Sequence, residues 1–292
     1  MINKNFLIEN LNILGDKIGY IKLLSVDGNE NTIAEDARTS TGNKQKTEVE
    51  NKKLVLRLAK DNHTSPLEMA SMKFEVKLPI FVARQWMRHR MGHYNEVSGR
   101  YKQSECEFYL PTTFYQQHKN NMQCSSEEKI DNNEEAIKIA QESFNNSKKI
   151  YQELINKGVS REQARLVLPT STYTTMRFKM DLNNLQKFLK LRMANDAQRE
   201  IRLYANEIFN MMKNFFPTLA DNFKKQNYHL FYETGYILKK LHSGETIILQ
   251  CYKKDNKLHS IDGLNVITQN NNDCFSKSKQ ELILIKDLTN KI

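Results

Sequence analysis

The stretch His63–Tyr101 reads HTSPLEMASMKFEVKLPIFVARQWMRHRMGHYNEVSGRY. Within it, Met72–Leu78 alternates apolar and charged side chains, which predicts a strand with one buried face. Pro79 follows at a position where a helix can begin, because the first helical residue needs no N–H for an intrahelical bond. We therefore predict that this strand leads into a helix over Ile80–Met91, which ends at Gly92.

The same stretch is rich in cationic side chains. On the predicted helix, Arg84 and Gln85 lie four and three residues before Arg88, so the three side chains are expected to project from one face. Arginine suits phosphate because its planar fork donates two parallel hydrogen bonds. Glu96 and Ser98 follow and suit a sugar hydroxyl or a base edge. These residues favour a nucleotide pocket, with a basic patch for nucleic acid and a structural ion-pair network as the alternatives.

The rest of the chain contains strands, helices and a distinct C-terminal part. Apolar residues at helical spacing predict an amphipathic helix over Glu127–Lys157 and one long helix over Leu182–Asn214. Tyr20–Val26 is predicted to be a strand and Thr170–Met180 to be extended. We expect a domain over residues 1–225 and an extension of unknown role over 226–292, with a small β appendage in two β-branched runs of this extension, Tyr236–Gln250 and Lys257–Thr268.

The composition describes a basic protein with isolated cysteines. The formal net charge is 44 − 34 = +10, with histidine neutral. No apolar run approaches the ~20 residues of a membrane span, and the N-terminal residues lack the pattern of a signal peptide. The cysteines form no CxxC pair, which argues against a zinc ribbon or a disulfide scaffold. We expect a cytoplasmic protein with no membrane partner.

One motif in the cationic stretch resembles a known family. Arg88-His89-Arg90, followed by seven residues and Ser98, resembles the R-H-R-x7-S signature of the flavin-dependent thymidylate synthases. The resemblance covers roughly residues 17–225. Further blocks match in order: His63-Thr-Ser-Pro66 with Glu68, Pro79–Gln85, Asn95-Glu96, Ser98–Tyr101, Ala164–Pro169, and Leu191-Arg192 with Ala197-Gln198 and Glu200-Ile201.

The resemblance implies a reaction, a fold and an assembly. The reaction would be the reductive methylation of dUMP to dTMP. Methylenetetrahydrofolate would supply the carbon, and FAD reduced by NADPH the hydride, while the protein positions them. No metal and no nucleophilic cysteine is implied, and nucleic acid is not an expected partner. The fold would be α+β, with an antiparallel or mixed sheet packed with long helices. The chain would form a homotetramer with sites shared between subunits.

The resemblance also assigns residues to the site. Arg192 would be the catalytic residue, because a fixed cation against the uracil would favour its N3-ionised form and activate C5. The implied dUMP-binding residues are Gln85, Trp86, Met87, Arg88, Glu96, Val97, Ser98, Gly99, Arg100, Arg165 and Arg192. The implied FAD-binding residues are His63, Ser65, Arg88, His89, Arg90, Glu96, Asp181, Asn183 and Lys187. From its type and setting, the Trp86 side chain is interpreted as core rather than as a stacking platform.

Some FAD positions depart from the family pattern. Asp181-Leu-Asn183 stands where the family has Asn-x-Arg, and Lys187 and Asp196 replace other residues common in the family. Lys187 can restore a cation for phosphate. Two other functions therefore stay open. One is a related FAD- and folate-dependent enzyme that makes another C5-modified pyrimidine nucleotide. The other is a non-catalytic homologue that binds nucleotides or nucleic acid.

Overall fold

The computed structural model describes residues 7–42 and 46–231, and beyond them the backbone of strands within 233–240, 246–254, 257–260, 266–267 and 275–276. The chain forms two compact units, Met1–Asn222 and Phe223–Ile292. The strands of the first unit are β1 (Ile8–Asn10), β2 (Tyr20–Asp27), β3 (Ser71–Pro79), β4 (His93–Glu96), β5 (Tyr115–Gln117), β6 (Ser125–Lys129) and β7 (Tyr173–Asp181). The helices are α1 (Glu30–Arg38), α2 (Glu48–Lys60), α3 (Ser65–Glu68), α4 (Ile80–Trp86), α5 (Asn133–Asn156), α6 (Arg161–Ala164), α7 (Leu182–Arg192), α8 (Arg199–Phe215) and α9 (Pro217–Gln226).

A five-stranded antiparallel sheet in the order β1-β2-β3-β7-β4 forms the centre of the first unit. The predicted alternation in β3 is confirmed, because Met72, Phe74, Val76 and Leu78 are fully buried. On the neighbouring strand, Phe178 stacks on Phe74 with ring centroids 4.9 Å apart. Large apolar pairs of this kind stabilise the sheet by about 1.5–3 kcal/mol for each buried side chain. The predicted α+β fold is confirmed.

Helices α4, α7 and α8 contribute the other side of this core. Trp86, the last residue of α4, is fully buried, with its ring 4.9 Å from Phe178 of β7 and 4.9 Å from Phe188 of α7. Tyr204 of α8 meets the same indole edge-on at 5.8 Å. The interpretation of the Trp86 side chain as core is therefore confirmed. This packing places the C-terminal end of α4 against α7, where predicted site residues lie.

Helix α4 is shorter than predicted, since it ends at Trp86 rather than at Met91. The Tyr94 hydroxyl explains the difference, because it donates to the carbonyl oxygens of His89 at 2.9 Å and Trp86 at 3.3 Å. Gly92 allows this close approach, since a Cβ there would lie 2.6 Å from the Tyr94 hydroxyl oxygen. Arg88 consequently lies in the turn after the helix and does not share a helical face with Arg84.

The predicted long helix over Leu182–Asn214 is two helices. Helix α7 ends at Arg192 and α8 begins at Arg199, with a loop of residues 193–198 between them. The apolar stripe continues on both sides of this loop, with Leu185 and Phe188 before it and Ile208 after it. The uninterrupted stripe is the reason that the sequence pattern predicts one helix.

Two further differences concern β structure. Residues 125–129, predicted to lie largely in a helix from Glu127, pair with Tyr115–Gln117 as the antiparallel hairpin β5–β6, and α5 begins only at Asn133. In the second unit the predicted β appendage is confirmed by a five-stranded sheet in the order β11-β10-β9-β8-β12. Its strands are β8 (Glu233–Lys240), β9 (Thr246–Lys254), β10 (Lys257–Ser260), β11 (Val266–Ile267) and β12 (Phe275–Ser276). Among the described residues, no helix is long and apolar enough to cross a membrane.

Candidate active site

The first group of predicted site residues surrounds Arg192, the last residue of α7. The guanidinium donates from Nε to His89 Nε2 at 3.0 Å and from Nη2 to the Gln85 carbonyl oxygen at 2.9 Å. Partial burial lowers the pKa of the Arg192 guanidinium, yet arginine stays charged at neutral pH. A fixed cation therefore lies in a partly desolvated setting, where charge acts more strongly than in water.

His89 holds this cation as a neutral acceptor. Burial and, to a smaller degree, the adjacent Arg192 lower the pKa of His89 to about 4. At neutral pH its Nε2 therefore carries a lone pair for Arg192, and its proton is on Nδ1. The ring packs edge-on against Phe188 at 4.8 Å, which fixes its orientation. The geometry explains why a histidine, rather than a second cation, suits this place.

Gln85 connects this group to the loop after α7. Its side-chain amide donates a short hydrogen bond to the side-chain oxygen of Gln198, while its main chain holds Arg192. We call Gln85, His89, Arg192 and Gln198 the Arg192 cluster. Of these, Gln198 belongs to a block that resembles the family, but the resemblance assigns it no role in the site. Its contact joins residues 113 positions apart, which only the fold reveals.

A second group lines a cavity of about 410 Å³, a volume within the range of small-ligand pockets. The predicted site residues in its wall are Glu96, Val97, Gly99 and Arg165. The Glu96 carboxylate accepts from the Thr174 hydroxyl at 2.7 Å. Arg165 lies so close to Gly99 that a Cβ there would be 3.3 Å from Arg165 Cδ. We call this cavity the Arg165 pocket.

The loop beside this pocket carries further predicted residues. Ser98 Oγ accepts from the Arg100 main-chain N–H at 3.3 Å. The Arg100 side chain is exposed, with its Nε 3.6 Å from Glu162. Ser98 and Arg100 flank Gly99 in the chain, and Gly99 and Arg165 line the cavity. A hydroxyl and two arginines are thus in the wall of the cavity or next to a wall residue in sequence, and such groups bind phosphate.

The pocket also has lining residues that the sequence analysis missed. Lys77 forms an ion pair with Glu107 at 2.6 Å, and both line the cavity. Tyr173 lines it too and donates a short hydrogen bond to Asp16. Burial, and next the hydrogen bond to Asp16, raise the pKa of the Tyr173 hydroxyl, which keeps it protonated. The alternation of β3 places Lys77 on the face opposite the core, but it gives no sign of a cavity there.

Apart from His89 and Glu96, described above, the residues predicted to bind FAD lie in two settings. His63, Ser65, Arg88, Arg90 and Lys187 are exposed. Asn183 is buried and donates to Glu68 Oε1 at 2.8 Å, which ties α7 to α3. Asp181 caps α7, since its carboxylate accepts from the Asn184 N–H at 2.9 Å and the Asn184 side-chain amide at 2.7 Å. Asp181 and Asn183 therefore have structural partners within the subunit.

The remaining predicted dUMP residues lie near these groups. Met87 is half-buried in the turn after α4, and Val97 is exposed in the wall of the Arg165 pocket. The Trp86 side chain contributes to the core, as described above. Most of the predicted site residues therefore fall into the Arg192 cluster, the Arg165 pocket and an exposed, mainly cationic set of His63, Ser65, Arg88, Arg90 and Lys187.

Comparisons with known proteins agree with the resemblance. A family model described as "Thymidylate synthase complementing protein" matches residues 22–218. The flavin-dependent thymidylate synthase of Thermus thermophilus is 45% identical over 203 residues, covering 68% of this chain and 73% of that protein. That of Rickettsia prowazekii is 34% identical over 275 residues, covering 89% of this chain and 90% of that protein. Since 89% of the chain exceeds residues 1–225, this match extends into the C-terminal region.

A solved structure is also similar. The UMP/dUMP methylase PolB from Streptomyces cacaoi, bound with 5-Br dUMP, has a TM-score of 0.65 and 27% sequence identity, covering 70% of this chain and 94% of that chain. The fold, the order of the motifs and the sequence identity therefore agree with one another. The chain belongs to the thymidylate synthase complementing protein family, the family of the flavin-dependent thymidylate synthases.

Proposed function

We propose that this protein catalyses the reductive methylation of dUMP to dTMP, with methylenetetrahydrofolate as carbon donor and FAD reduced by NADPH as hydride source. The observation that carries the proposal is the Arg192 cluster, in which neutral His89 and the Gln85 carbonyl hold a half-buried cation. The names of the relatives point to the same reaction.

In this proposal Arg192 acts on the pyrimidine. Two of its donor groups face His89 and Gln85, so the rest of the guanidinium is available to a carbonyl or an ionised N3 of uracil. A cation there stabilises negative charge on the ring and so makes C5 more nucleophilic toward the folate carbon. The Arg192 guanidinium needs little reorganisation during the reaction, because His89 and the Gln85 carbonyl already hold it in place.

The Arg165 pocket is the proposed phosphate and ribose end of the dUMP site. Arg165 and Arg100 supply charge, and Ser98 and the Gly99 main chain supply short donors. Glu96, held by Thr174 at 2.7 Å, supplies an acceptor for a hydroxyl of the sugar. Gly99 suits this place because the main chain can approach the ligand closely where no side chain intervenes.

FAD fits the donor set of the exposed cationic residues. Arg88, Arg90 and Lys187 are exposed and can neutralise a diphosphate. His63 and Ser65 are exposed at the start of α3 and offer polar contacts to the flavin. When bound, FAD supplies hydride transfer. Lys187 takes over the charge that Asn183 does not carry, while Asn183 and Asp181 fix the helix on which Lys187 lies.

We further infer that each site is shared between subunits of a homotetramer. Large apolar side chains are exposed in the pocket wall or next to a wall residue in sequence, with Val97 50%, Tyr101 76% and Leu166 81% exposed. Large exposed apolar side chains around a polar site are typical of an interface. Catalysis is assigned to residues 1–225, and a cytoplasmic location follows from the nucleotide and folate substrates.

The test is spectroscopic and chemical. Purified protein titrated with FAD should show flavin absorbance that NADPH bleaches, and dUMP with methylenetetrahydrofolate should then give dTMP. Protein that neither binds FAD nor forms dTMP would refute the proposal and favour a non-catalytic nucleotide-binding homologue.

One neighbour raises a second substrate. PolB is described as a UMP/dUMP methylase and shares the fold at a TM-score of 0.65. Parallel assays with UMP and dUMP, read by mass spectrometry of the nucleotide product, distinguish a dUMP enzyme from one that makes another C5-modified nucleotide.

A further inference from the structure

The β5–β6 hairpin contacts the first residue of α8, Arg199. The guanidinium carbon of Arg199 lies 3.8 Å from the centroid of the Tyr115 ring, a close cation–π stack. Its Nη2 donates to the Ser126 carbonyl oxygen at 2.7 Å, and its Nε donates to Ser125 Oγ at 3.2 Å. One side chain thus binds both strands of the hairpin.

The contacts of Arg199 differ in how much each contributes to holding the hairpin against α8. Glu127 lies 3.0 Å from Arg199 Nη2, but its side chain is 83% exposed, and ion pairs at that exposure contribute little. The Arg199 side chain is only 26% exposed, so its stack and its carbonyl bond are partly desolvated. Directional contacts of a planar guanidinium fix orientation, which a flexible ammonium does not. The hairpin therefore fixes where α8 begins.

The beginning of α8 is also the end of the loop that follows Arg192. Gln198 precedes Arg199 directly, and its side chain accepts the short hydrogen bond from Gln85. Glu200 follows Arg199 and accepts from the Tyr109 hydroxyl at 3.2 Å. Residues 193–198 thus follow Arg192 at one end, and at the other end Gln198 is bound by Gln85 and Arg199 by the hairpin.

We propose that the β5–β6 hairpin positions Gln198, and through it Gln85 and Arg192, for methyl transfer, with Arg199 and Tyr115 as positioning residues. The inference rests on the proposed function of the Arg192 cluster. Neither residue need touch a ligand. Their effect comes from geometry, since misplacement of a reacting group by about 1 Å can cost about 100-fold in rate.

The experiment compares Arg199→Ala, Tyr115→Ala and the double variant in the full-length, FAD-loaded protein. Each single variant should lower kcat for dTMP formation by about 10- to 100-fold, with a smaller change in the KM for dUMP. Flavin reduction by NADPH without dUMP should be unchanged. The double variant should lose little more than either single variant, because both remove one contact. Arg199→Lys should stay impaired, since it keeps the charge but not the fork.

Lys213→Ala is the matched control, because it removes an exposed cation from the last turn of the same helix. It should leave all rates unchanged. Hydrogen–deuterium exchange provides a readout that does not depend on turnover. In Arg199→Ala, exchange should increase in residues 193–198 and stay unchanged in the rest of α8.

The outcomes separate this inference from the proposed function. If the unaltered protein forms no dTMP, the proposed function fails, and the exchange measurement still decides whether the hairpin holds the loop. If the unaltered protein is active, the inference is overturned by normal kcat in both single variants, by losses that simply multiply in the double variant, or by exchange that increases along all of α8.

Discussion

Arg192→Ala is the change that addresses the chemistry most sharply. It removes the half-buried cation and both of its bonds, to His89 Nε2 at 3.0 Å and to the Gln85 carbonyl at 2.9 Å. Loss of one preorganised group that stabilises developing charge costs about 2.7–4 kcal/mol, or about 100- to 1,000-fold in rate. Because His89 and Gln85 are half-exposed and can bind water instead, the variant should remain folded.

The two half-reactions should respond differently to this change. Flavin reduction is followed by the loss of visible absorbance after anaerobic mixing with NADPH, and methylation by chromatography of dTMP. We expect the first to stay near the rate of the unaltered protein and the second to fall by about 100- to 1,000-fold. In the proposed function Arg192 acts on the uracil ring, so it is needed only when the pyrimidine reacts.

Lys190→Ala is the control, since it removes an exposed cation from the same last turn of α7. It should change neither half-reaction. The reasoning is refuted if Arg192→Ala slows both half-reactions equally, if it releases the flavin, or if it still methylates dUMP at the normal rate.

Three other changes test separate parts of the site. Since the pKa of His89 is lowered from 6.5 to about 4, kcat/KM for dUMP should hold through pH 6.5 and fall only toward pH 4, and a loss centred near 6.5 would contradict this. The free energy of unfolding should decline as pH falls from 6.5 to about 4. In this range His89 binds a proton in the unfolded chain but not in the folded one. Gly99→Ala places a Cβ 3.3 Å from Arg165 Cδ and should raise the KM for dUMP about tenfold, or ~1.4 kcal/mol; an unchanged KM in steady-state assays would place dUMP elsewhere. Asp181→Ala removes a helix cap and should cost about 1 kcal/mol, which thermal unfolding without FAD would show as a Tm lower by about 2–4 °C, whereas Asp181→Asn should retain most of the free energy of unfolding, because asparagine also caps helices well.

The central strands could be predicted from the sequence because one physical rule decides them. Side chains alternate between the faces of a strand, and the Met72–Leu78 alternation has a single solution with one face buried. The structure places these residues in β3 at the centre of the sheet. Where one face must be buried, local pattern and tertiary structure agree.

Helix ends were less predictable for two reasons. Some depend on partners that are distant in sequence, and others lie at loops across which the apolar helical spacing continues. Helix α4 ends early because the Tyr94 hydroxyl donates to the carbonyl oxygen of Trp86, its last residue, and to that of His89 in the turn after it. The spacing of apolar residues gives no sign of the break between α7 and α8. The Gln85–Gln198 contact and the bond from Arg199 to the hairpin hold the chain at this break. The hairpin strands β5 and β6 are mostly polar, so no alternation of apolar and polar residues predicts them.

The site residues likewise divide into what the local sequence pattern predicts and what depends on contacts between distant residues. The motif around Arg88 and Ser98 identifies residue types suited to a nucleotide, but it does not state which of them meet. Arg192 and His89 are 103 positions apart. The fold brings them together, because His89 packs against Phe188 of α7, the helix that ends at Arg192. The assignment of Asp181 and Asn183 to a cofactor could not anticipate that both have partners inside the subunit, Asn184 and Glu68.

The yield of dTMP per NADPH oxidised, measured without oxygen in the presence of FAD-loaded protein, dUMP and methylenetetrahydrofolate, tests the central claim most directly. The proposed reaction predicts equimolar dTMP and oxidised NADPH, with no dTMP when FAD, NADPH or the folate is omitted. NADPH oxidation without dTMP, or dTMP formed without flavin, would contradict it.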